Sequence, residues 1–386
     1  METELGRGKR TRRTYGFDEI ALAPSIITVN PDDVDISVTI AGLKLKLPII
    51  ASAMDGVVSP KTAILMSKCG GLGVLNLQGV WARYEDAERV LEQISSVSKD
   101  EYVELMQKIY LEPVKPKLVE KRIKEIKEAG AKVAVSSIPA DAKEIGQIAV
   151  KAGADVFFIQ ATVFSTKHKS SGSHMLVLPE FIEEMKIPVV VGNCATYDVA
   201  LDLMKNGAAA VLVGIGPGAA CTSRGVLGIG VPMATSISDC AAARETHFKE
   251  TGKYVPIIGD GGMAVGGDIC KAIACGADAV MIGSPIAKAE EAPGRGYHWG
   301  MATPSPVLPR GTRIKVGTIA PLKEILLGPA KYDDGSMNFA GALKTSMGTL
   351  GASNLKEMQH VEVIVAPSIL TEGKVYQKAQ QLGMYK

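Results

Sequence analysis

The apolar positions of this chain fall into short unbroken runs rather than alternating ones. They are Pro48–Ser52, Gly73–Leu75, Val133–Val135, Val156–Ile159, Pro188–Val191, Ala210–Val213, Val255–Ile258 and Ala279–Ile282. Runs of this length predict strands buried on both faces, as in parallel sheets. Between most of them lie segments with helical spacing, such as Val199, Ala200, Leu203 and Met204. A recurring punctuation joins helix to strand: Ala129-Gly130-Ala131, Ala152-Gly153-Ala154, Asn206-Gly207-Ala208 and Cys275-Gly276-Ala277. In each, a glycine ends a helix and a strand follows at once. Eight such units predict an α/β fold, a single closed (β/α)8 TIM barrel over residues 1–386. An open doubly wound sheet competes, but no Gly-x-Gly-x-x-Gly with a suitably spaced acid follows the first strand.

Three segments depart from this rhythm. Val34–Ile40 alternates strictly and predicts a half-exposed strand ahead of the barrel. Residues 90–126 are charged and helical in composition, predicting one or two amphipathic helices joined through Pro113 and Pro116. Residues 290–329 are rich in glycine and proline and carry Arg295, Arg310, Arg313 and Lys315. A loop that long in a compact domain predicts a mobile lid. Residues 1–14 hold Arg7, Lys9, Arg10, Arg12 and Arg13, which reads as a basic flexible tail or as an assembly or polyanion contact.

Composition adds boundaries. A hydrophobic share of 46% supplies a large core, and 5% aromatics with 41 glycines suit many short connections. A net charge of +2 argues against a general nucleic-acid binder. The six cysteines contain no Cys-x-x-Cys pair and no zinc spacing, so they read as reduced thiols of a cytoplasmic protein. No run is long enough to span a bilayer, and no secretory leader precedes the first folded segment.

Chemistry in a barrel gathers where strands end. The first strand delivers Ser52, Met54 and Asp55, the second Asn76, the fourth Gln160 and Thr162, and the fifth Asn193. The sixth empties into Gly214-Ile215-Gly216-Pro217-Gly218-Ala219-Ala220-Cys221-Thr222-Ser223-Arg224. Three glycines and a proline fix a tight path, and a cation behind Cys221 would favour its thiolate. A structural cysteine on a turn is the plainer alternative. The seventh strand gives Asp260-Gly261-Gly262 and the eighth Gly283-Ser284. Glycine amides after these two strands, with a serine hydroxyl, make a phosphate cradle, and Asp260 is placed for ribose hydroxyls. Asp260 and Ser284 also suit a turn or helix cap. His298 reads equally as a base or as packing. The barrel thus describes a nucleoside monophosphate beside a cysteine.

Taken in order, Ser52-Ala53-Met54-Asp55, Gly70-Gly71-Leu72-Gly73-Val74, the Gly214–Arg224 loop, Gly259-Asp260-Gly261-Gly262 and Met281-Ile282-Gly283-Ser284 resemble the IMP dehydrogenase/GMP reductase family. The likeness extends through Gly267-Asp268-Ile269 and Glu290–Gly294 and covers nearly the whole chain. It implies that Cys221 attacks C2 of the purine of inosine monophosphate (IMP). Hydride passes to NAD, and water hydrolyses the thioimidate to xanthosine monophosphate (XMP), in guanine nucleotide synthesis. It further implies that Ser52, Met54, Gly262, Gly283, Ser284, His298, Gly300 and Met301 surround the nucleotide, with Asp260 on its ribose. Gln160, Thr162, Asn193 and Gly214 fall to the cofactor. Carbonyls of Gly216, Gly218 and Cys221 would hold a potassium ion. Ser223 handles a proton, and lid residues Arg310 or Arg313 help activate water. The family also implies a homo-oligomer, a tetramer.

The sequence departs from the family pattern at several positions. Dehydrogenases of the family usually insert paired regulatory CBS modules where this chain has only the 90–126 connector. Ala219 replaces a serine, Ser223 a threonine, Gln160 an aspartate and Leu212 an arginine, and the lid lacks an arginine–tyrosine pair. A GMP reductase, which uses NADPH and releases ammonia, and a non-catalytic nucleotide-binding barrel are the alternatives. Gly230-Val231-Pro232, Ser346-Met347-Gly348 and Glu372-Gly373 favour the dehydrogenase.

Overall fold

The computed structural model describes residues 2–169, 176–300, 312–366 and 373–385. Each predicted run forms a strand: β1 Ile49–Ala51, β2 Leu72–Asn76, β3 Ala134–Ser137, β4 Val156–Gln160, β5 Val189–Cys194, β6 Ala210–Val213, β7 Ile257–Asp260 and β8 Ala279–Ile282. They close into one parallel barrel in sequential order, with β8 pairing β1 through Met281↔Ile50 and β4 pairing β5 through Phe158↔Val190.

The continuous hydrophobicity has a direct cause. Ile50, Val74, Phe158, Val190, Leu212, Ile258 and Met281 fill the barrel interior, while Ile49, Leu75, Phe157, Val191, Val211, Ile257 and Ile282 pack outward against helices. Alternate positions serve two cores, so neither set is polar. The punctuating glycines Gly130, Gly153, Gly207 and Gly276 all have positive φ (71°, 99°, 94° and 114°), the left-handed geometry that ends a helix.

The strand predicted over Val34–Ile40 is shorter: it follows a 3-10 turn at Pro31–Asp33, and only Val38–Ile40 forms a strand. It pairs with Leu43–Leu45, and Ile40, Ala41 and Leu45 join the interior core, so this hairpin closes the floor of the barrel. The opposite end, where strands finish, is left as a mouth.

The basic N-terminal segment is not a tail without structure. Glu2–Gly6 and Lys9–Arg12 form an antiparallel ribbon, and Arg12 is anchored by the carboxylate of Asp239. The connector is three helices, Ala87–Ser96, Tyr102–Leu111 and Pro116–Glu128, the last packing as an ordinary barrel helix beside Pro60–Lys68 and Ala142–Ala152. In the lid region Tyr297–Trp299 pairs antiparallel with Arg313–Lys315, and residues 301–311 between them lie outside the described set. Among the described residues no helix is long and apolar enough to cross a membrane.

Candidate active site

A cavity of about 1030 Å³ occupies the barrel mouth. Sixteen of the predicted residues meet on its walls: Ser52 and Met54 after β1, Gln160 and Thr162 at β4, Asn193 in β5, and Gly214, Gly216, Gly218, Cys221 and Ser223 after β6. Asp260 and Gly262 follow on β7, Gly283 and Ser284 on β8, and His298 and Gly300 come from the lid strand and its end. Met301 and Arg310 lie outside the described residues, as does Glu372.

The cysteine loop gets its shape from close backbone approach. Gly214 has φ 151°, and a Cβ there would lie 2.2 Å from the carbonyl oxygen of Asp260. Only glycine lets β6 and β7 converge at this point. The loop then turns so that the Cys221 N–H donates to the Gly218 carbonyl at 3.0 Å, leaving the thiol exposed to the cavity. Its Sγ stands 3.3 Å from Oγ of Ser223, a buried hydroxyl at the start of the short helix Ser223–Leu227. That contact gives the thiol a proton partner within the loop. Arg224 does not supply the expected cation: its guanidinium donates to the Val231 carbonyl at 3.3 Å, its side chain lies against Gly216 and Gly230, and it is absent from the cavity wall.

On the β7–β8 side, Asn193 Nδ2 donates to Asp260 Oδ2 at 2.8 Å and to the Gly214 carbonyl at 2.9 Å. Asn193 therefore fixes the carboxylate rather than merely lining the wall. Burial pushes Asp260 up to about 6, partly countered by the Asn193 hydrogen bond. Ser284 Oγ and His298 Nε2 are 2.8 Å apart, and burial lowers His298 to about 4, so the imidazole is neutral at pH 7. His298 is 2% exposed, and its Nδ1 has no partner among the described residues. Gly262 and Gly283 keep side chains away from this corner: a Cβ at the first would meet Pro217 at 2.9 Å, and at the second Met54 Sδ at 3.0 Å.

Across the cavity, beyond Cys221, the wall changes character. Ile138, Pro139, Val163, Phe164 and Leu176 make an apolar face with Thr162, Ser165 and His168 among them. Gln160 reaches Met281 Sδ through Nε2 at 3.6 Å, while its Oε1 is buried without a partner among the described residues. The mouth thus has a polar lobe under β7–β8 and a second lobe under β3–β4, with the sulfur between them.

The expectation for Arg313 is overturned. Its guanidinium donates to the Ile94 and Val97 carbonyls at the end of helix Ala87–Ser96 and stacks 4.7 Å over Tyr297 and 5.0 Å over Tyr102. These partners hold it outside the cavity, as a clasp between lid and connector.

Residues 14–301 match the family model for the IMP dehydrogenase / GMP reductase domain. The chain belongs to this family. As a member of the IMP dehydrogenase/GMP reductase family it is an oxidoreductase. It is 40% identical to an uncharacterized oxidoreductase of Mycolicibacterium smegmatis, over 94% of this chain and 99% of that one. It is 31% identical to the inosine-5'-monophosphate dehydrogenase of Cryptosporidium parvum, over 89% of each. A crystal structure of an IMP dehydrogenase/GMP reductase-like protein from Corynebacterium glutamicum superposes with a TM-score of 0.89 at 38% identity, covering 94% of this chain and 97% of the other.

Two groups implied by the family can be tested against these residues. For potassium, the donor set is neutral carbonyls in one glycine-rich loop, which suits a monovalent ion rather than a transition metal. Gly218 retains a lone pair beyond its bond from Cys221, and no cluster of three His, Cys, Asp or Glu exists among the described residues. For NAD, the orphaned Gln160 Oε1 is an acceptor that a ribose hydroxyl would satisfy, in place of the family's carboxylate. Both groups fit.

Sequence reasoning passed over one feature of the mouth. Tyr110 and Trp299 join Asp55 in a smaller pocket beside the main cavity. Asp55 was visible as a strand-end acid, whereas Tyr110 sits among apolar helix positions and carried no signal.

Proposed function

We propose that this protein oxidises IMP to XMP with NAD in guanine nucleotide synthesis, through a covalent intermediate on Cys221. The observation that supports this most is an exposed thiol standing between two lobes of one cavity, one polar and glycine-lined, the other broad and apolar. A hydrolase acting on a single nucleotide has less need of the second lobe.

In this reading Gly262, Gly283 and Ser284 receive the phosphate, and Asp260, held by Asn193, accepts from the ribose hydroxyls. His298, neutral, keeps Ser284 oriented, while Met54 and Gly300 flank the base. Cys221 Sγ attacks C2 as its proton moves toward Ser223 Oγ. Gln160 and Thr162 would hold the cofactor, which would supply a hydride acceptor for C2. The carbonyls of Gly216, Gly218 and Cys221 would hold potassium, whose charge would fix the loop. Water then cleaves the thioimidate, returning the thiol. We place the protein in the cytoplasm as a homotetramer. The apolar, partly exposed Val363, Ile364 and Val365, paired with Ile20–Leu22 at a sheet edge, support a covered surface there.

Purified protein with IMP, NAD and potassium should accumulate NADH, and with GMP and NADPH should leave the reduced cofactor unchanged. NADPH loss with ammonia release would instead establish a GMP reductase. A single-subunit mass on sizing chromatography would remove the tetramer.

A further inference from the structure

Beside the main cavity is a smaller one of about 120 Å³, walled by Asp55, Asn76, Gln78, Arg83, Tyr110 and Trp299. Met54, Ile138 and Gly300 wall both, so the two are neighbours. Gly300 stands against Ala220, the residue before Cys221: a Cβ on it would lie 3.7 Å from the Ala220 carbonyl oxygen. The small pocket is therefore adjacent to the strip of wall that carries the nucleophile, and it has room for several waters.

Its carboxylate is not paired as a structural ion would be. Asp55 is 2% exposed, and Oδ2 accepts from the Val80 N–H at 2.8 Å and from the Tyr110 hydroxyl at 2.5 Å. Oδ1 has no partner among the described residues and presses on Gly79, where any side chain would collide with it. The Tyr110 oxygen accepts from the Trp299 indole at 2.8 Å and keeps one lone pair. Arg83 lies over the Tyr110 ring at 5.7 Å but donates to the Gln78 and Glu112 carbonyls instead of to Asp55. A buried acid hydrogen-bonded to a tyrosine hydroxyl, in a pocket that shares walls with the cavity of the nucleophile, has the layout of a proton relay.

We propose that Tyr110 and Asp55 take up the proton of the water that hydrolyses the purine bound to Cys221, a proposal that rests on the dehydrogenase reading above. As the water oxygen bonds to C2, its proton passes to Tyr110 Oη and the tyrosine's proton to Asp55 Oδ2. The C2–S bond then breaks, sulfur leaving with the electron pair and taking a proton, so that XMP and the free thiol result. Asp55 returns its proton to solvent. Burial raises Asp55 to about 6, countered by the Tyr110 and Val80 hydrogen bonds and by Arg83, which suits a base working at neutral pH. The other titratable group facing the pair is Tyr102, next to Tyr110, with Arg313 over its ring.

Y110F keeps the ring and removes the relay. With IMP, NAD and potassium, both it and the wild type should release about one NADH per site in the first turnover. Steady-state turnover in Y110F should then fall roughly 100-fold, and intact-mass spectrometry should show the purine adduct accumulating on Cys221. The wild-type rate should rise with pH through about 6, a limb that Y110F lacks and D55E retains. A Y110F enzyme with wild-type turnover and pH profile overturns the relay, as does loss of the first-turnover NADH, which would place Tyr110 in folding or binding. A wild-type protein that makes no NADH removes the dehydrogenase reading itself, and the relay with it.

Discussion

Asp260→Asn exchanges a carboxylate for an amide of the same shape at the point where ribose should bind. In the wild type, Asn193 Nδ2 donates to Oδ2 at 2.8 Å, leaving the rest of the carboxylate to accept from the nucleotide. In the variant the single amide oxygen must still receive Asn193, so an N–H pair faces the ribose hydroxyls. A hydrogen bond to a charged group contributes about 1.5–3 kcal/mol, so IMP should bind roughly 10- to 150-fold more weakly. The pH dependence sharpens the test. With Asp260 near 6, its ionised fraction falls about tenfold from pH 7 to pH 5, and wild-type affinity should lose that factor. The phosphate also titrates near pH 6, but its share is common to both proteins. Stability moves the other way. The folded carboxyl titrates above its unfolded value, so the native state binds more protons between about pH 4 and 6 and ligand-free stability falls as pH rises through that window. The variant lacks this loss and should melt higher than wild type at pH 7. Calorimetric titration with IMP across pH 5–7.5, with thermal melts alongside, measures both. Equal affinity, or an unchanged pH slope, would refute the role assigned to Asp260.

Asp278 sits under the barrel floor, where Arg244, 4% exposed, pairs with it at 2.8 Å beside Tyr254, Lys356 and Gln359. Asp278→Ala leaves that buried guanidinium the Gly276 carbonyl, the Gln359 side-chain oxygen and the exposed Glu245, and should cost about 3 kcal/mol in denaturant unfolding, with IMP affinity of the folded fraction unchanged. Arg313→Ala should lower the thermal midpoint by releasing lid from connector yet leave first-turnover NADH intact, and a turnover defect without a melting change would contradict that. Gly214→Ala forces a methyl within 2.2 Å of the Asp260 carbonyl and should abolish measurable IMP binding in a calorimeter while the far-ultraviolet circular dichroism is retained.

The barrel was legible because its two nested cores keep each strand apolar until its C-terminal end, and because Gly130, Gly153, Gly207 and Gly276 mark where helices stop. The strand-end logic carried equally well to Ser52, Asp260 and Ser284, since barrel topology alone converges them on one mouth. Three features were hidden. Arg313 looked catalytic by charge and position in the chain, but its destination depends on the carbonyls of Ile94 and Val97, some 220 residues away in sequence. The basic segment at the N-terminus reads as solvated because its ribbon is held by pairing and by Asp239, neither of which leaves an apolar pattern. Tyr110 sits at a helical apolar spacing, so its hydroxyl becomes informative only once Asp55 and Trp299 are brought to it.

The measurement closest to the centre of the account is intact-mass spectrometry of protein quenched in acid during turnover with IMP and NAD. A purine adduct on the wild-type chain that localises to the Cys221 peptide and is missing from Cys221→Ser, together with loss of NADH formation, is the predicted result. NADH formed at wild-type rate by the Cys221→Ser protein would contradict covalent catalysis at this thiol.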